Sequence, residues 1–224
     1  MTRLIEVRRK VLKENDLRAS SLRARFQEAG VFVVSLVSSP GSGKTTFLEK
    51  LLTRIGTGQR VAVLVGDLAT ENDAARLARA TSQVRQITTG TICHLDAQMV
   101  DNALQGWSLA KLDFLFIENV GNLVCPSSYD LGEALRLVLL SATEGEDKPL
   151  KYPTIFNTAD VAIVTKMDLA SAAEFDLAAA HRNIQAVRPG MTVFDVSAKK
   201  DTGMEEVLDF LKRKLAESRN TLSV

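Results

Sequence analysis

The stretch that most constrains this 224-residue chain is Val31 to Leu52, VFVVSLVSSPGSGKTTFLEKLL. An apolar, β-branched-rich run from Val31 to Val37 breaks into Ser-Ser-Pro-Gly-Ser-Gly. It resumes at Lys44-Thr45-Thr46 with Phe47, Leu48, Leu51 and Leu52 at helical spacing. Strand, glycine-rich loop and helix start, in that order, are the context that gives a phosphate-loop match its meaning. The loop around Pro40, Gly41, Ser42 and Gly43 and the first helical residues Lys44, Thr45 and Thr46 bring backbone N–H groups and the helix dipole to a point suited to a phosphate chain. Lys44 is placed to reach the β- and γ-phosphates, and Thr45 to offer a hydroxyl to Mg²⁺. One position departs from G-x-x-x-x-G-K-[ST]: its first glycine is Ser38 here. Gly41, Gly43, Lys44 and Thr45 remain in register, so the chain is expected to bind a nucleoside triphosphate.

Lys plus Arg (28) nearly balance Asp plus Glu (27), so no overall field points to nucleic acid or an anionic membrane as partner. No apolar run approaches membrane-spanning length, and the first residues, MTRLIEVRRKVLKENDLRAS, lack a secretory apolar segment. Two cysteines make no disulfide framework. A cytoplasmic protein is the expectation.

Residues 2 to 28 read as an amphipathic helix, with Leu4, Val7, Val11, Leu12, Leu17, Leu22 and Phe26 as its apolar positions. Strands are expected at Val31 to Val37, Arg60 to Val65, Val84 to Ile87, Asp113 to Ile117, Leu135 to Leu140, Val161 to Val164 and Thr192 to Val196. Periodicity alone leaves 135 to 140 open between strand and helix; its length and bounding loops favour strand. Helices are expected after the phosphate loop, through Ala75 to Ala80, from Asp96 to Leu104, from Ala172 to Val187 and from Met204 to Ala216. Thr70 and Glu71 fall in the turn after the second strand, and Gly145 to Pro153 reads as loop. Alternating strands and helices predict an α/β fold of three layers around a mostly parallel sheet, its site at the strands' C-terminal ends. The expected organisation is a helical segment over 1–28 and one compact domain over 29–224.

Strand-end residues then identify the nucleotide. Asp67 and Glu118 are carboxylates on the phosphate-loop edge, either of which can complete Mg²⁺ coordination with Thr45. Gly121 would let the backbone approach the γ-phosphate and move on hydrolysis. Thr165-Lys166-Met167-Asp168 is similar to the guanine-reading N-K-x-D of GTPases, and Ser197-Ala198-Lys199 to its accompanying S-A-K loop. Together they favour GTP over ATP. Thr165 stands where Asn is usual and cannot supply an amide's donor and acceptor together; Asp168 remains the discriminating residue, so guanine preference is expected.

Cys93-His94 and Cys125-Pro126 are not needed by nucleotide chemistry, yet one of only two histidines adjoins one of only two cysteines. Two thiolates and an imidazole suit Zn²⁺ or Ni²⁺. Three ligands leave a site open, which fits delivery or catalysis better than structural zinc. His181, in an alanine-rich helix, reads as solvent-facing.

With these stretches in hand, the chain resembles the metallochaperone GTPases of hydrogenase nickel incorporation, the HypB family, related to the urease accessory GTPase. SSPGSGKTT, GDLATENDA, TGTICHLDAQMV, FIENVGNLVCP, EGEDKPLKYPTIF, TKMDL and VSAKKDTGM carry the likeness over nearly all of residues 31 to 205. The family's loop commonly has serine where Ser38 stands. The resemblance implies a SIMIBI-like phosphate-loop NTPase domain, GTP and GDP with Mg²⁺ as cofactors, and Ni²⁺ or Zn²⁺ at Cys93, His94 and Cys125 in a GTP-dependent homodimer interface. It also implies that Lys148 or Lys151 approaches the nucleotide across that interface. The partners it implies are an accessory nickel-delivery protein and a hydrogenase large-subunit precursor. Met1 to Gly30 holds neither Cys nor His, so the N-terminal nickel store of some members is not expected. The rival readings are a small-molecule kinase with structural zinc, a non-catalytic GTP switch with buried cysteines, and an accessory GTPase for urease. The urease relative has a Cys-Pro-His run where Cys125-Pro126 is followed by Ser127.

Overall fold

The computed structural model describes residues 2–69, 72–81 and 83–221, with backbone alone at 2–5, 8 and 221. The side chain of Leu4 and the turn residues Thr70 and Glu71 therefore lie outside the described residues. Seven strands form one wholly parallel sheet: β1 (Phe32–Ser38), β2 (Val61–Asp67), β3 (Val84–Thr88), β4 (Phe114–Glu118), β5 (Leu135–Ser141), β6 (Val161–Thr165) and β7 (Thr192–Asp195). Their spatial order is β3-β2-β4-β1-β5-β6-β7. All seven expected strands are present, and the ambiguous run at 135–140 is a strand. The helices are α1 (Thr2–Glu28), α2 (Lys44–Ile55), α3 (Asn72–Leu77), α4 (Ala97–Ala103), α5 (Lys148–Lys151), α6 (Pro153–Thr158), α7 (Leu177–Val187) and α8 (Met204–Thr221).

β1 explains the layering. Every residue in it is buried, as a strand covered on both faces must be. Phe32, Val34 and Leu36 pack with Phe47, Leu48 and Leu51 of α2 and Leu208 and Leu211 of α8. Val33 and Val37 point the other way, Val33 toward α1 and α4 and Val37 toward α6 and α7. Helices thus cover both faces of the sheet, which has the phosphate-loop NTPase architecture.

The C-terminal half of α1 belongs to this packing. Ala19, Leu22 and Phe26 are buried in the layer that holds α4, whereas Val7, Val11 and Leu17 are exposed. Gly30 ends the helix at φ 67°, with Gly30 N–H donating to the Gln27 carbonyl (2.9 Å) and Val31 N–H to that of Phe26 (3.1 Å). This left-handed turn, together with the Phe26–Val31 apolar contact, hands the chain directly from helix to β1.

Three local expectations need correction. Gly145 to Pro153 is not all loop, because Pro149 and Pro153 each open a short helix, α5 and α6. The alanine-rich helix begins at Leu177 rather than Ala172, since the Asp176 carboxylate caps it by accepting from Ala179 N–H at 2.8 Å. α3 spans Asn72–Leu77 rather than reaching Ala80 as helix.

Order reverses at β1, with β4 and β2 on one side and β5 on the other, so a crevice opens above the β1 C-terminus. Asp113 anchors the opposite end of the sheet. Its carboxylate accepts from Arg60 N–H (2.8 Å), from the Arg60 guanidinium (2.9 and 3.1 Å) and from Arg219 of α8 (2.6 Å). The Arg60 side chain, with Arg219 beside it, holds this carboxyl well below the usual carboxylate range. A folded-state pKa below the ordinary 3.8 means stability present above that pH and lost as pH falls beneath it. Asp113→Ala is expected to lower Tm by about 2–4 °C at pH 7, screening by solvent keeping the effect modest. Calorimetry at pH 3 should show a smaller gap from the unmutated protein.

Candidate functional site

The phosphate loop sits where the crevice opens. Gly41 and Gly43 take left-handed φ angles of 75° and 91°, which turn the loop into the N-terminus of α2. Lys44 is buried and its Nζ donates to Ser38 Oγ at 3.0 Å. Ser38, the departure from the consensus, thus parks the buried ammonium on a neutral oxygen. Burial pushes the Lys44 ammonium below its ordinary pKa, with the Glu118 carboxylate pulling most strongly the other way.

Thr45 Oγ1 donates to Glu118 Oε1 at 2.7 Å. Glu118 is 3% exposed, and burial pushes its carboxyl up to about 7 against the opposing pull of Lys44 and Thr45. Its second oxygen, Oε2, is buried without a hydrogen-bond partner. A buried carboxylate oxygen beside a threonine hydroxyl is a donor set that suits Mg²⁺. Asp67 lines the same cleft of about 530 Å³, together with Lys44, Thr45, Gly121 and Lys166. Gly121 is there for close approach: a Cβ on it would lie 2.8 Å from Pro40 Cα.

A second hollow of about 190 Å³ adjoins the cleft, lined by Thr46, Thr165, Lys166, Asp168, Ala198 and Lys199 among others. Asp168 accepts from Ser197 Oγ at 2.5 Å, which fixes the carboxylate toward the hollow's rim. Lys166 has φ 57° and lays its ammonium on the Gly41 carbonyl at 2.6 Å, so its side chain walls both hollows. Thr165 Oγ1 donates to the Ser42 carbonyl at 2.7 Å. Its hydroxyl ties β6 to the phosphate loop.

The metal candidates also converge. Cys93 and His94 lie on the loop between β3 and α4, and Cys125 opens the 3-10 turn Cys125–Ser128 after β4. The Sγ atoms of Cys93 and Cys125 are 3.1 Å apart, and one ligand atom from each of the three residues lies within 4.8 Å of the others. The His94 ring lies tilted by 31° against that of Tyr129, centroids 4.0 Å apart, and its Nδ1 is buried without a hydrogen-bond partner. Burial pushes the imidazole below its ordinary pKa, with Asp96 opposing. A divalent ion of this class would be held by the neutral imidazole together with the two cysteines as thiolates. His181 is not simply solvent-facing, since its Nε2 lies 2.8 Å from Asp195 Oδ1.

Some residues of the site carry no sequence signal. Glu144 Oε1 accepts from Ser42 Oγ at 2.5 Å, joining the loop after β5 to the phosphate loop. Arg76 of α3 reaches Thr46 Oγ1 at 3.1 Å from the cleft wall. Ionic residues of this kind are common on protein surfaces, and only the fold brings them to the phosphate loop.

Comparison with known proteins places this geometry. Residues 32–195 match the family model of the CobW/HypB/UreG nucleotide-binding domain. The hydrogenase maturation factor HypB of Azotobacter chroococcum mcd 1 is 46% identical over 214 residues, covering 95% of this chain and 70% of that protein. The hydrogenase/urease maturation factor HypB of Helicobacter pylori (strain ATCC 700392 / 26695) is 42% identical over 218 residues, with 96% and 89% covered. The crystal structure of HypB from Helicobacter pylori in complex with nickel superposes with a TM-score of 0.86 at 43% identity, covering 91% of this chain and 96% of that one. The chain belongs to the CobW/HypB/UreG nucleotide-binding family, on its HypB branch.

Proposed function

We propose that this protein is a Mg²⁺-dependent GTPase that couples GTP binding, hydrolysis and dimerisation to the handling of nickel during hydrogenase maturation in the cytoplasm. One observation carries the reading. Glu118 of the nucleotide cleft and Cys125 of the thiol–imidazole triad lie seven residues apart on a single segment, so what touches one can displace the other.

Lys44 and the loop N–H groups hold the β- and γ-phosphates, and Asp168 reads the guanine edge. Thr45 and Glu118, with Asp67 beside them, hold Mg²⁺, which supplies charge neutralisation on the phosphate oxygens. Water adds to the γ-phosphorus as the bond to the β-phosphate oxygen breaks, giving GDP and inorganic phosphate. The metal is cargo: Ni²⁺ seated on Cys93, His94 and Cys125, with Zn²⁺ as the competing occupant of the same ligands.

Dimerisation is supported by where apolar side chains stay exposed. Leu68, Ile92, Val124 and Leu150, each 41% exposed or more, neighbour Asp67, Cys93, Cys125 and the Lys148–Lys151 helix in sequence. Lys148 lies over the Tyr152 ring (5.3 Å), while Lys151 is engaged by Asp147 at 2.5 Å, which favours Lys148 as the residue reaching a facing subunit. The partners in this reading are a second copy of the chain, an accessory nickel-delivery protein and a hydrogenase large-subunit precursor. Urease is the second client reading, since the Helicobacter pylori relative is a hydrogenase/urease maturation factor.

An anaerobic Ni²⁺ and Zn²⁺ titration with GDP and with a non-hydrolysable GTP analogue, read together with oligomeric mass, tests this. Metal affinity or coordination that changes with nucleotide and follows dimer formation is the expected result. Identical binding in both states would reduce the protein to a GTP switch with structural cysteines.

A further inference from the structure

The phosphate cleft and the thiol–imidazole triad share no ligand, but two asparagines on the segment between them span the gap. Asn119 follows Glu118 at the end of β4 and is 2% exposed. Its Oδ1 accepts from two backbone groups at once, Leu95 N–H at 3.0 Å and Val120 N–H at 2.9 Å. Its own N–H donates to the Leu36 carbonyl of β1 at 3.0 Å, so its base is fixed to the sheet. Three residues on, Asn122 Nδ2 donates to the Cys93 carbonyl at 3.3 Å, while its Oδ1 accepts from Val124 N–H at 2.8 Å. One amide therefore pins the residue after His94, and the other pins Cys93 itself to the residue before Cys125.

The other flank of the same loop is pressed on β2. A Cβ added to Gly66 would lie 2.8 Å from Leu95 Cγ, so the Leu95 side chain rests on the backbone that ends at Asp67. The Cys93–Leu95 segment is thus clamped between the two strand ends that carry the nucleotide carboxylates, Asp67 on β2 and Glu118 on β4. A clamp of several hydrogen bonds and close packing has few intermediate positions, which is what transmission between two sites requires.

We propose that Asn119 is the positioning residue through which nucleotide state sets the geometry of the Cys93–His94–Cys125 triad, with Asn122 as its auxiliary. Val120 N–H and Leu95 N–H share one acceptor. Movement of Glu118, Val120 and Gly121 toward a γ-phosphate changes that shared bond, and with it the position of His94 and Cys93. Asn119 borders the phosphate cleft, but its amide oxygen is held by the Leu95 and Val120 N–H groups, so it acts on the triad through the loop backbone. The proposal rests on the nickel-cargo reading above, and the size of the coupling is bounded by the difference in nickel affinity between the two nucleotide states.

The test uses the full chain and Ni²⁺ itself. Nickel dissociation constants and the thiolate-to-nickel charge-transfer band are recorded with GDP and with a non-hydrolysable GTP analogue. In the unmutated protein the two affinities are expected to differ by about 5- to 150-fold. Asn119→Ala should bring the ratio to within about twofold while the protein still binds both nucleotide and nickel. Asn119→Asp keeps an oxygen that accepts the same two N–H groups and should restore most of the ratio and the nucleotide-dependent change in the band. Asn122→Ala, at a less buried position, should lower the ratio in part and covers the case in which Asn119→Ala does not fold. A soluble Asn119→Ala with the full ratio, an Asp variant that behaves like Ala, or an Asn122→Ala with ratio and band unchanged would each overturn the role. An unmutated protein with no nucleotide effect on nickel would instead sink the cargo reading, and the asparagine role with it.

Discussion

Lys44→Ala should abolish measurable GTP hydrolysis, with a loss of about 10²–10³ in rate even where some nucleotide still binds. Lys44 is the buried cation of the cleft, held beside Ser38 and within the field of Glu118. Phosphoryl transfer asks little of the protein beyond positioning and charge, so removing the buried ammonium of the phosphate loop should remove most of what the loop supplies. A second effect points the same way. Lys44 is the largest influence holding the Glu118 carboxyl down, so without it that group moves further toward its neutral form and is a poorer partner for Mg²⁺. The fold should survive, because the substitution deletes a buried charge and the Glu118 carboxyl left behind can take up a proton. Lys44 makes no contact with the triad, so Ni²⁺ affinity without nucleotide should stay within about twofold of the unmutated value. A fluorescent GTP analogue, a phosphate-release assay and a nickel titration separate the three quantities. Full hydrolysis by Lys44→Ala would displace the phosphate-loop assignment.

Much of this arrangement is legible in the chain because the forces that set it are local. A strand buried on both faces must be a run of Val, Leu, Ile and Phe, and such runs mark β1, β4 and β5. The glycines and lysine of the phosphate loop are few-purpose residues at fixed spacing, and Cys93, His94 and Cys125 stand out because cysteine and histidine are so scarce here. What escapes the sequence is what only packing decides. Proline usually reads as a breaker, yet Pro149 and Pro153 sit in the first turn of their helices, where the missing N–H costs nothing. Asp176 displaces the start of α7 past an alanine-rich stretch that propensity alone would have made helical. Glu144 and Asn119 are residue types that occur everywhere, and their partners are 102 and 24 positions away. Their roles exist only once β1, β4 and β5 stand side by side.

Cys93→Ala should do the reverse of Lys44→Ala. Cys93 Sγ is 3.1 Å from Cys125 Sγ, and with His94 these are the one group of Cys, His, Asp and Glu side chains among the described residues arranged to hold a metal ion. Deleting one of three ligands leaves a thiolate and an imidazole, too few to hold a divalent ion against water. Loss of a mere outer-shell partner costs about 10- to 100-fold in metal affinity, so loss of a thiolate should cost about a hundredfold or more for Ni²⁺ and Zn²⁺ alike. The charge-transfer absorption of nickel bound to sulfur should fall with it. Hydrolysis of GTP in metal-free buffer containing Mg²⁺ should persist, because Cys93 lies outside the cleft and is only half-buried. The two variants together therefore split the protein into its halves: one that binds metal but does not hydrolyse, and one that hydrolyses but cannot hold metal. Nickel and zinc affinities left unchanged by Cys93→Ala in every nucleotide state would remove the triad from the mechanism and leave a GTPase whose cysteines serve only the fold.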